Sequence, residues 1–129
     1  LALGVARAAY EEAREWASTR QQFGKPIDRF QAVQEHIAEM ATDLEAARRL
    51  TYWAAWRSDQ HLPNAREASM AKLFASEAAA RVCERAARVS ASWGFAAESP
   101  IQRYLRDVRF VLIGGGTSEI LRINIARES

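Results

Sequence analysis

Two stretches of this sequence hold residues whose types and spacing could do chemistry. One is Gly114, Gly115 and Gly116, half of the chain's 6 glycines, followed at once by Thr117, Ser118, Glu119 and Ile120. A backbone without β-carbons can approach a flat ligand closely or take positive φ, and the Thr-Ser-Glu after it reads as a helix start with free N–H groups. The run is a candidate ligand rim. Its alternative reading is a flexible loop before a capped helix, although three glycines used only as a connection would cost considerable ordering entropy. Glycine supplies no acid, base or nucleophile, so a reaction here must draw its reactive group from elsewhere.

The other stretch is Arg20, Gln21, Gln22, Phe23, Gly24, Lys25, Pro26 and Ile27, continued by Phe30 and Gln31. An arginine closing one helix, an aromatic beside a glycine and an amide opening the next helix could together hold a phosphate and a flat ring. The simpler reading makes Phe23 and Phe30 plugs for the end of a bundle, with Arg20 offsetting a helix C-terminus.

Other residues offer less. His36 and His61 have no cysteine or carboxylate at ligand spacing, so no metal site is expected. Arg103, Arg106 and Arg109 recur on one short helix, a pattern typical of a solvated or subunit-facing stripe, and Glu11, Glu12 and Glu15 form a solvated cluster. Tyr52, Trp53 and Trp56 suit either a partner surface or ordinary core and rim. The lone cysteine, Cys83, sits in an alanine-rich helical pattern as a small buried filler, which points to a reducing compartment and a cytoplasmic location.

The elements that must position these residues are helical throughout. Nothing alternates at period two over a strand length. The first helix covers about Leu1 to Thr19, with Val5, Ala9, Ala13 and Trp16 on one face, and stops before Phe23, Gly24 and Pro26. A second runs from about Arg29 to Gln60, with Asp28 as N-cap and Phe30, Val33, Ile37, Met40, Leu44, Ala47 and Ala54 in register. After His61, Leu62 and Pro63, Asn64 caps a third helix to about Trp93, striped by Ala71, Ala75, Ala78, Val82, Ala86 and Val89, with Gly94 as its stop. Ser99 and Pro100 open a shorter helix to about Arg109, Phe110 to Gly116 is a loop, and a last helix follows. Short connections between long amphipathic helices imply an all-α fold, an up-and-down four-helix bundle with an additional C-terminal helix.

Bulk properties agree with that fold and exclude several functions. The 129 residues, 49% hydrophobic and 26% charged, suit one globular domain. A net charge of +2, with arginines spread among glutamates, gives no support to nucleic-acid binding. No apolar stretch approaches the ~20 residues of a membrane span. Leu1 opens the chain already in helical pattern, without a signal-peptide character, which suggests a portion of a larger protein.

Arg20-x-x-Phe23-Gly24-Lys25-Pro26-Ile27-x-x-Phe30-Gln31 and Arg106-Asp107, followed ten residues after Asp107 by Thr117-Ser118-Glu119-Ile120, resemble the C-terminal helical domain of acyl-CoA dehydrogenases. The similarity spans essentially the whole chain. It implies a family that oxidises acyl-CoA thioesters between the α and β carbons, with FAD as hydride acceptor and electron-transfer flavoprotein as redox partner. It also implies further domains of the same protein and assembly as a homodimer or homotetramer. By position, Arg20 and Gln31 match residues that contact FAD across a subunit interface, Thr117, Ser118 and Glu119 match the helix start that meets the cofactor, and Gly115 and Gly116 match residues beside the substrate thioester.

The departures matter as much. Many family members carry the catalytic glutamate where this chain has Gly115, and glycine cannot be a general base. In the isovaleryl and long-chain type the glutamate comes from a neighbouring helix, at a position just upstream of Leu1, so no catalytic residue is expected within this chain. The isolated chain is expected to be inactive and to bind FAD weakly or not at all. The family's Gln-x-x-Gly-Gly falls on Arg88, Val89, Ser90, Ala91 and Ser92, where the glutamine and both glycines are replaced. These departures favour the alternative function, a non-catalytic helical oligomerisation domain of a degenerate paralogue.

Overall fold

The computed structural model describes residues 1–129. Six helices follow one another: α1 (Ala2–Thr19), α2 (Gln31–Asp59), α3 (Ala65–Ser90), the one-turn α4 (Ser92–Phe95), α5 (Pro100–Ile113) and α6 (Ser118–Arg127). Between α1 and α2 lie two short strands, β1 (Gln21–Gln22) and β2 (Lys25–Pro26), and a 3-10 turn, Ile27–Arg29. The four long helices form the expected bundle, and α6 packs onto α3.

Alanine spacing explains the architecture. Ala6, Ala9, Ala13 and Ala17 make a fully buried seam along α1, and the predicted stripe of α3 is buried at every position. Side chains this small let helix axes approach at the low end of the usual 8–10 Å range. Helix α3 therefore becomes the central element, touching α1, α2, α5 and α6. Larger residues fill the remaining space: Met40, Val82, Ile101 and Val108 are buried in one cluster with the alanines and Cys83. Arg81 clamps Asp43 with two hydrogen bonds of 2.8 and 3.0 Å, and Arg85 reaches Glu39, so α3 is also tied to α2 by charge.

Several boundaries differ from expectation. Asp28 does not cap α2. It lies in the 3-10 turn, and Phe30 is the N-cap, with no side-chain cap bond. Asn64 does stand at the N-cap of α3, but its side chain donates to the Ala54 carbonyl at 3.2 Å and so fastens α3 to α2 instead. Helix α3 ends at Ser90, before Gly94. Ala91 has φ 50°, and Gly94 is buried inside α4, where a β-carbon would stand 2.7 Å from the Ala87 carbonyl oxygen. Helix α5 runs on to Ile113, because Val111 continues the buried stripe of Ile101 and Val108 up to the glycines.

The hairpin was also unforeseen. Gln21 pairs with Pro26 and Gln22 with Lys25, and the turn residues Phe23 and Gly24 have φ 53° and 79°. Positive φ at both central positions suits the twist of a two-residue hairpin.

Candidate functional site

Helix direction decides which candidate residues can meet. Leu1 and Leu3 of the α1 end share a cleft of about 500 Å³ with Ala54, Ala71, Phe110 and Gly114. That places the N-terminus of α1, the C-termini of α2 and α5 and the start of α3 at one end. At the other, Trp16 stacks on Trp93 with ring centroids 5.8 Å apart, joining the C-terminal part of α1 to α4. Gln31 opens α2 and Thr51 lines the cleft; twenty residues of helix between them span about 30 Å. Arg20 and Gln31 thus lie at one end of the bundle and the triple glycine at the opposite end.

At the hairpin end, Arg20 is the C-cap of α1, and its amide donates to the Trp16 carbonyl at 2.8 Å. Its guanidinium lies 5.9 Å over the Trp16 ring. The position is exposed, and a cation there complements the negative end of the helix while keeping its N–H fork available to a phosphate. Gln31 is exposed too, its amide 3.5 Å from the Glu35 carboxylate, a weak contact that a better partner displaces. Phe23 is 90% exposed, with only Phe30 edge-on at 6.1 Å. It is not a plug of the bundle, as the simpler reading held. Lys25 sits 4.3 Å over the Phe30 ring.

The stretch in place of Gln-x-x-Gly-Gly occupies this same end. Arg88 donates to Glu84 one helical turn earlier, at 3.1 Å. Ala91 keeps φ 50° and ψ −129°, a conformation that favours glycine. The glycine is lost from the sequence, yet the sharp turn remains in the backbone.

At the opposite end the rim is built by α5 stopping and α6 starting. The Gly114 amide closes α5 onto the Phe110 carbonyl at 2.7 Å, and Gly115 and Gly116 then take φ 74° and 103°. Around Gly115 a β-carbon would meet nothing within 4 Å, so the space beside it is open. Thr117 is the N-cap of α6, its hydroxyl oxygen accepting from the Ile120 amide at 3.4 Å. The amides of Gly115, Gly116 and Thr117 donate to no backbone carbonyl. Together with the positive end of α6 they form a donor set suited to an anionic or electron-rich group.

Ser118 is buried at the first turn and Glu119 is exposed. Hydrogen bonds from its own backbone N–H, and then from the Thr117 hydroxyl, hold the Glu119 carboxyl below the usual carboxylate range. A carboxylate so stabilised is a poor proton acceptor. The sequence reading missed Lys72, whose ammonium donates to the Gly116 carbonyl at 2.5 Å. One signal for it existed: it is one of only 2 lysines, set in the alanine stripe of α3.

The sequence matches the family profile described as acyl-CoA dehydrogenase, C-terminal domain, across residues 1–129. The chain belongs to the acyl-CoA dehydrogenase family. It is 62% identical to benzylmalonyl-CoA dehydrogenase of Aromatoleum aromaticum over 99% of its own length and 34% of that protein's. To the mitochondrial short-chain specific acyl-CoA dehydrogenase of Bos taurus it is 44% identical, over 97% of this chain and 30% of that protein. Among solved structures, butyryl-CoA dehydrogenase from Megasphaera elsdenii superimposes with a TM-score of 0.97 at 36% identity, covering 98% of this chain and 33% of that one. The chain thus spans about a third of the length of the relatives it matches.

Proposed function

We propose that this chain is the C-terminal helical part of a larger, FAD-dependent acyl-CoA dehydrogenase that removes hydrogens from the α and β carbons of an acyl-CoA thioester. The observation that carries the proposal is the placement of two family-matching stretches at opposite ends of one bundle. Each end then completes a cofactor site with a different protein surface. A site shared between two copies uses both, which supports a homodimer or homotetramer.

The residues present fit the cofactor. Arg20 would hold the pyrophosphate through its exposed fork, with Gln31 adding an amide beside it. Thr117, Ser118 and Glu119 would present the start of α6 to the flavin of the copy's own site, and Gly115 and Gly116 would let the thioester lie close to the backbone. FAD, when bound, supplies the acceptor for the β hydrogen, while a carboxylate takes the α proton. This chain contributes donors and a close backbone wall, not that carboxylate: Gly115 has no side chain, and the Glu119 carboxylate is held by its own backbone N–H and the Thr117 hydroxyl. Electron-transfer flavoprotein is proposed as redox partner by family likeness, and the single buried thiol supports a cytoplasmic location.

The test is the full-length protein. A bound flavin spectrum and its anaerobic bleaching by one or more of a panel of acyl-CoA thioesters are expected. A colourless protein that FAD cannot reconstitute would refute the proposal.

A further inference from the structure

The glycine rim is the least constrained backbone in the chain by composition, yet it is held by a contact made from far away in sequence. Lys72 on α3 donates to the Gly116 carbonyl across a separation of 44 residues. It lines the cleft together with Ala68, Ala71, Ala75, Phe110 and Gly114, and none of the chain's ion pairs includes its ammonium. The carbonyl is its anchor, and its charge is not cancelled by a neighbour.

Peptide geometry converts that anchor into an orientation. Across a planar trans peptide, the C=O and the following N–H point in opposite directions. With the Gly116 oxygen drawn toward α3, the Thr117 N–H is turned away from α3, and it is one of the three amides that donate to no backbone carbonyl. Gly115 and Gly116, both at positive φ, would otherwise sample many conformations. An uncancelled ammonium behind three free amides also raises the positive potential of the rim.

We propose that Lys72 is a positioning residue: by fixing the Gly116 carbonyl it aims the Thr117 amide at the electron-rich edge of a bound flavin and favours its reduction electrostatically. The inference rests on the FAD reading above. It adds a residue that touches no reacting atom and acts through the loop.

The experiment uses the full-length protein with Lys72→Met, which has no donor for the Gly116 carbonyl, and Lys72→Arg, and Lys72→Leu as a second neutral variant should the first not fold. FAD titration into apoprotein, the flavin midpoint potential and apoprotein melting are measured for each. The neutral variant is expected to bind FAD about tenfold more weakly, the scale of losing one charged hydrogen bond. Its midpoint potential moves to a more negative value, its apoprotein melts close to wild type, and Lys72→Arg recovers both affinity and potential. Unchanged affinity and potential in the neutral variant overturn the inference. So does a loss of FAD accompanied by an equal loss of apoprotein stability that arginine does not recover, because that describes a structural tie only. A wild-type protein that takes up no FAD removes the cofactor reading itself, and this inference with it.

Discussion

Trp16 and Trp93 stack with ring planes only 9° from parallel, and through that contact α4 is fastened to the C-terminal end of α1. Both indoles are half-buried, and the stack sits beside Arg20, whose guanidinium also lies over Trp16. The pair therefore supports the very end of the bundle that presents Arg20.

Trp93→Ala removes the stack and part of the burial. We expect a loss of about 2–3 kcal/mol in urea unfolding, from the aromatic pair and the lost packing together. The near-ultraviolet circular dichroism should weaken at the same time. A loss below about 0.5 kcal/mol would mean that the stack does not hold the two elements together.

Ala91 and Gly94 should respond in opposite directions. Ala91 holds φ 50° without being glycine, so Ala91→Gly relieves strain of about 1 kcal/mol and should raise the denaturation midpoint. Gly94→Ala places a β-carbon 2.7 Å from a backbone oxygen of α3, which cannot swing aside as a side chain can. A loss of about 1–3 kcal/mol is expected. Paired urea titrations check both signs.

Much of this arrangement was legible in the residues. The α3 stripe from Ala71 to Val89 is buried as its spacing predicts, because a 26-residue helix repeats the 3.6 period often enough to be unmistakable. Helices α5 and α6 start at Ser99–Pro100 and Thr117–Ser118, where the sequence places helix starts. Two-residue strands carry no period at all, so the Gln21–Pro26 hairpin could not be read. Asp28 was misjudged because a 3-10 turn intervenes between the proline and the helix. Lys72 was missed for a different reason: its partner is a backbone carbonyl, which no side-chain pattern records.

Stability should fall on both sides of neutrality, each limb having a named group. Hydrogen bonds from Arg48 and then Arg49 lower the Glu45 carboxyl from 4.5 to about 2, and Glu67 and Glu119 are also lowered. A folded-state value below the unfolded one gives stability that is complete above about pH 4.5 and is lost as pH falls toward 2. The difference between wild type and Glu45→Gln should shrink over that window. Burial raises the Cys83 thiol from 9.0 to about 12. Its contribution is complete below pH 9 and is lost as pH rises through 12, so Cys83→Ala should flatten the alkaline limb. Native protein should also leave Cys83 unmodified by a thiol reagent at pH 8, where the unfolded chain reacts.

The separation of Arg20 from Thr117 by a helix length makes an assembly prediction. If one cofactor site takes the hairpin end of one copy and the glycine end of another, Arg20→Ala and a rim-disrupting Gly116→Val damage the same site from different chains. Each variant alone should bind little FAD. Co-expressed in equal amounts, half the dimers are mixed, and each mixed dimer holds one undamaged site and one doubly damaged site. About a quarter of the sites should then recover flavin, as expected for random pairing in a two-fold dimer. Flavin content per protein, measured on the co-purified mixture, gives the answer. Recovery near zero would mean that the two ends do not meet in one site across a pair of copies, and would overturn the shared-site arrangement; the separation of about 30 Å along the bundle argues only against both ends serving one copy's own site.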